Sequence, residues 1–174
     1  MSETLTTNGG GAALADSLLE RPVLSELPVE HLLDLKVDLE PVRLIPTPVG
    51  ARMVYIAKGG RFEGPRLEGE VLPGGGDWLH VGEDLIGRVD VRAVLRTDDD
   101  ALIHLTAGGV IQIPPDGLTR LQAGERLPFE ETYVRTTPKF ETADERYAWL
   151  NEMVVVGHNE LSADHIDYRM YRVL

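Results

Sequence analysis

The chain has 174 residues, 43% of them apolar, which is enough for one domain with a buried core and excludes disorder throughout. Its 29 acidic and 17 basic residues give a net charge of −12 with no Lys/Arg cluster, so neither nucleic acid nor an anionic membrane is an expected partner. Cysteine is absent, which removes thiol nucleophiles, disulfides and thiolate metal sites.

Residues 1–28 read as a flexible arm. Gly9-Gly10-Gly11 and the polar residues before them offer no buried face, although 12–20 has the spacing of a short helix. This start lacks the basic residues and apolar core of a signal peptide, and no apolar run reaches the roughly 18 residues of a membrane span. A cytoplasmic location is therefore expected.

The texture changes at about Val29, where a domain over 29–174 begins. Residues 31–39 end in strict alternation, as a half-buried strand should. Pro41, Pro46 and Pro48 then predict a turn. Residues 53–57 form a strand that Gly59-Gly60 breaks, and 62–71 is short and strand-like. Pro73-Gly74-Gly75-Gly76-Asp77 is a turn, with a brief strand at 78–81. Residues 87–97 and 101–106, joined by Asp98-Asp99-Asp100, read as a hairpin. Helical turns are expected at 118–122 and 144–151, and strands at 133–137, 153–157 and 165–174. Eight or more short strands between glycine and proline turns predict an all-β fold, an antiparallel closed barrel of about 8–10 strands, because closure leaves no exposed edge.

The strand 87–97 has two faces. One carries Arg88, Asp90, Arg92, Val94 and Arg96; the other carries Val89, Val91, Ala93, Leu95 and Thr97. Either can face the lumen. The cost of burying charge favours the apolar face, whereas a charged lumen would place an acid–arginine network beside a ligand. Asp98-Asp99-Asp100 lacks a His or a correctly spaced Glu, so it reads as a solvated turn and no metal site is expected. The five histidines show no ligating spacing, and GxSxG, phosphate-loop and dinucleotide fingerprints are missing. The densest polar–aromatic stretch is 133–142 followed by 147–151, whose rings fit either a pocket wall or a barrel plug.

Several segments together resemble domain-of-unknown-function family 3237, a UPF0311-like group. They are Gly59-Gly60-Arg61-Phe62-Glu63-Gly64-Pro65, Gly69-Glu70-Val71-Leu72-Pro73-Gly74-Gly75-Gly76-Asp77-Trp78, Leu95-Arg96-Thr97-Asp98-Asp99, Tyr133-Val134-Arg135-Thr136 and Tyr147-Ala148-Trp149-Leu150-Asn151. The resemblance implies a calycin-like or allene-oxide-cyclase-like barrel that often forms homo-oligomers. It implies no function by itself; small barrels of this shape act without cofactors as cyclases, isomerases or lyases.

The expectation that follows is a cofactor-independent enzyme acting on a small, partly apolar metabolite. Asp77 and Glu141 would move protons and Arg96 would hold an oxyanion. Trp78, Arg92, Tyr133, Arg135, Trp149 and Asn151 would bind the substrate. The alternatives are a barrel that binds a small molecule without turnover, and a structural oligomer.

Overall fold

A computed structural model describes residues 25–174. The arm expected over 1–28 lies outside the described residues as far as residue 24. Ten strands account for most of the rest: β1 (Val29–Leu39), β2 (Arg43–Thr47), β3 (Gly50–Glu63), β4 (Glu68–Val71), β5 (Gly76–Val81), β6 (Gly87–Thr97), β7 (Leu102–Gln112), β8 (Tyr133–Glu141), β9 (Val155–Leu161) and β10 (His165–Val173). One short helix, α1 (Gly117–Gln122), and two 3-10 turns (Phe129–Glu131, Ala148–Glu152) complete it.

All pairings are antiparallel, in the order β1-β10-β9-β8-β7-β6-β4-β3, and β1 pairs back onto β3 to close the barrel. β4 and β5 lie end to end between β3 and β6. β3 pairs β5 over Ala51–Ile56 and β4 over Gly60–Glu63. The two strands therefore share one of eight positions around the barrel. β1 and β2 follow one another along the opposite edge of β3 in the same way. β10 begins opposite Asp38, so β2 has no partner on its outer side.

Among the sequence expectations that change, two concern β2 and β3. The proline-rich segment after β1 is an edge strand, β2; Pro46 lacks an N–H, which an unpaired edge tolerates. Gly59-Gly60 does not break β3, which runs through both residues with a register shift against Asp38/Leu39.

The period-2 alternation sorts side chains cleanly. Leu33, Phe62, Val71, Leu95, Ile103, Phe140 and Met170 face inward and are buried. Leu150, on the 3-10 turn Ala148–Glu152, closes this end of the lumen as a plug. At the other end Val37, Tyr55, Val91, Ile166 and Tyr168 face inward but are only half-buried. The lumen is thus packed at one end and open at the other. α1 and Leu127 cover part of the open end, where Leu127, Val134 and Leu161 form a second small core.

The outward positions of β6 are Arg88, Asp90, Arg92, Val94 and Arg96, and those of β8 include Lys139 and Glu141. A barrel apolar inside and charged outside reverses the pattern of an outer-membrane barrel. Among the described residues no helix is long and apolar enough to cross a membrane.

Candidate active site in the barrel lumen

β4 passes into β5 through Pro73-Gly74-Gly75. Gly74 adopts φ +97°, a conformation that favours glycine, and the turn is tied down by Ala57 N–H donating to Gly75 O at 2.8 Å. Alternation from Gly76 then turns Asp77 and Leu79 into the barrel and Trp78 and His80 out of it. Asp77 stands directly opposite Tyr55 on β3 and Val91 on β6. Tyr168 of β10 lines the same cavity.

The cavity left between these side chains is small, about 40 Å³. Its lining is aliphatic apart from Asp77, Tyr55 and Tyr168, and no lysine, arginine or histidine contributes among the described residues. Asp77 is 7% exposed. Its Oδ1 accepts the Asp90 backbone N–H at 2.9 Å.

Burial disfavours the charged form and pushes the Asp77 carboxyl up to about 6; the Asp90 N–H opposes this and the nearby Asp90 carboxylate adds to it. Tyr55 is pushed up to about 12, and Tyr168 is raised further, by burial first and the Asp77 charge second. Both phenols therefore stay protonated as donors at neutral pH. The carboxyl sits where it can both take and give a proton.

The other residues expected at a site lie elsewhere. Arg92 faces out and pairs with Asp90 at 3.1 Å. Arg96 also faces out, bound to Glu70. Arg135 lies on the outer face, with its guanidinium 4.6 Å from the Phe129 ring centre and 4.8 Å from that of Tyr133. Glu141 is exposed, 2.9 Å from His104 Nδ1. Trp78 packs outward opposite Val54. The apolar face of β6 fills the lumen because each arginine there would have lost its hydration without a partner.

Trp149 and Asn151 belong to the plug. The Trp149 ring lies under the Arg66 guanidinium at 3.8 Å. Asn151 clamps the loop before it: Oδ1 accepts Thr142 N–H and Nδ2 donates to Thr142 O, both at 2.9 Å. Asp99 ties the same segment down, accepting from Thr97 at 2.5 Å, Tyr147 at 2.9 Å and Arg146 at 2.7 Å. Among the described residues no group of three or more His, Asp or Glu is placed to hold a metal.

Tyr55 and Tyr168 were not singled out by the sequence reading. The signal available for them was alternation alone, Met53/Tyr55/Ala57 and Ile166/Tyr168/Met170. Thr136 Oγ1 and Asn159 Oδ1 also face inward, on β8 and β9, buried and without a hydrogen-bond partner, but they stand outside the cavity lining.

The fold and this lumen define a small closed antiparallel β-barrel that encloses a single carboxyl group in an apolar cavity. The chain belongs to the DUF3237 family of proteins of unknown function, whose profile matches residues 27–173. The UPF0311 protein RPA1785 of Rhodopseudomonas palustris is 30% identical over 125 residues, 72% of this chain and 82% of its own length. Its crystal structure superimposes with a TM-score of 0.81 over 87% of this chain and all of that one. A beta-barrel like protein from Acinetobacter baumannii, 31% identical, gives 0.73 over 89% of this chain and 99% of its own. An enzyme from Penicillium herquei, 20% identical, gives 0.65 over 89% and 98%, a likeness of fold.

Proposed function

We propose that the protein is a cofactor-independent enzyme that moves a proton on a small, largely apolar molecule held in the lumen, with Asp77 as the proton carrier. The observation that supports this is the position of Asp77: one carboxyl, buried in an apolar cavity open at one end, with its pKa raised to about 6. As the carboxylate it takes a proton from an O–H or C–H of the bound molecule. As the acid it returns that proton to another atom of the same molecule. Asp77 ends as it began, and the net change is a ring closure or an isomerisation. Delivery of the proton to a hydroxyl leaving group gives loss of water instead. Tyr55 and Tyr168 donate hydrogen bonds to the oxygen on which charge develops.

Asp77→Asn keeps the shape and the Asp90 contact but cannot carry the proton. Extracts of cells expressing the wild type are compared with those expressing Asp77→Asn by mass spectrometry, after a pulse in D₂O. Wild type is expected to consume one compound and accumulate either an isomer carrying deuterium or a dehydrated product, and Asp77→Asn to slow this at least about 100-fold. Equal turnover by the two proteins sinks the assignment.

A second reading, a barrel that binds its ligand without turnover, draws on the same lumen, which offers one titratable carboxyl among the described residues. It predicts a compound that co-purifies with both proteins and is unchanged by either.

A further inference from the structure

We infer that the ligand is uncharged: an apolar body presenting one weakly acidic O–H or C–H to Asp77, admitted across an apolar porch formed by the β2–β3 hairpin. The inference rests on the proposal that Asp77 meets the ligand.

The lumen's charge inventory carries the first half. Every lysine and arginine on the barrel strands lies outside the cavity lining, and Arg92 and Arg96 are committed to acids on the outer face. An anionic ligand would meet the Asp77 carboxylate in a low-dielectric space with no cation to offset it. A cationic ligand would lose its hydration for one carboxylate and two phenol oxygens, a pairing that recovers little of that cost. A neutral O–H loses far less water and gains a charge-assisted hydrogen bond to the carboxylate.

The approach carries the second half. Tyr55 and Met53 lie on one face of β3, the Tyr55 hydroxyl 4.0 Å from Met53 Sδ. Leu44 of β2 is the direct cross-strand partner of Met53, so its side chain continues the same face outward from the cavity. Leu44 is 61% exposed. Leu85 lies in the loop between β5 and β6, at the same end of the barrel, 81% exposed and held at φ +59°. An apolar side chain kept in water on a left-handed backbone is costly on both counts, and a ligand passing over it gives it a use.

The test uses four probes of one shape: benzyl alcohol, toluene, benzoate and benzylammonium. Their affinities are measured by NMR titration of the full chain at pH 7.5. Benzyl alcohol is expected to bind about tenfold more tightly than either ion, a difference of about 1.4 kcal/mol. Toluene is expected between the alcohol and the ions. In Asp77→Asn the penalty against benzoate should shrink to about twofold. Leu44→Asp, on an exposed edge and with its fold checked by the NMR spectrum, should weaken toluene and benzyl alcohol together. Benzoate or benzylammonium binding wild type as tightly as the alcohol, or no probe binding at all, overturns the uncharged-ligand inference. Unchanged affinities in Leu44→Asp overturn the porch. The expected order of affinities with equal turnover in wild type and Asp77→Asn would sink only the catalytic reading; the reverse combination would sink only this one.

Discussion

Asp77 concentrates the energetic conflict of the molecule in one side chain. Its folded pKa, about 6, lies above the ordinary carboxylate value of 3.8, so the native state holds a proton that the unfolded chain has released. Native stability is therefore greatest below about pH 4 on this account and is lost as pH rises through 6. Asp77→Asn removes the ionisation while keeping an acceptor for the Asp90 N–H. At pH 7.5 it is expected to be more stable than wild type by about 1–3 kcal/mol, with little difference at pH 4. Thermal melts of both proteins at the two pH values check this; an Asn variant less stable at pH 7.5 contradicts the burial account. Asp77 was legible in the sequence as a candidate, a polar residue ending a glycine turn, but its place inside β5 was not. Nor were its partners. Tyr55 is 22 positions away along the chain and Tyr168 farther still, and only pairing across β3 and closure through β10 bring them to one cavity.

Elements decide which end of the lumen is open. The Ala148–Glu152 turn inserts Leu150, 1% exposed, against the core formed by Leu33, Phe62 and Phe140. Leu150→Ala leaves a cavity there and is expected to cost about 2–5 kcal/mol. The pH dependence set by Asp77 should survive it, since plug and carboxyl occupy different ends. Denaturant melts at pH 4 and 7.5 measure both quantities together. The polar–aromatic stretch read from the sequence as pocket wall or plug is resolved by these contacts: Trp149 and Asn151 serve the plug, and Tyr133 and Arg135 the outer face. Chemistry-bearing residue types were visible in the sequence, but facing was not. On β6 alternation left two assignments, and burial of Ala93 and Leu95 with exposure of Arg92 and Arg96 decides between them.

At the scale of the whole molecule, closure of the barrel depends on how closely β3 approaches β1. A Cβ on Gly60 would stand 2.1 Å from Lys36 O and 3.1 Å from Val37 Cα, both backbone atoms that cannot step aside. Gly60→Ala is expected to lower stability by more than about 3 kcal/mol or to abolish soluble expression. Gly108→Ala, where the nearest atom is 4.0 Å away, is the matched control and should fold normally. Equal melting temperatures for the two variants would show that closure does not rest on this contact. The sequence by itself determined the all-β class, most of the turns, the 87–106 hairpin and which side chains of a strand share a face, because these follow from period-2 alternation and from glycine and proline, which are local. Only the tertiary structure decided that β4 and β5 share one place, that β2 is a free edge, and that Asp77, Tyr55 and Tyr168 line one cavity. Those facts depend on register and closure between strands far apart in the chain, and no local pattern of side chains encodes a distance across a barrel.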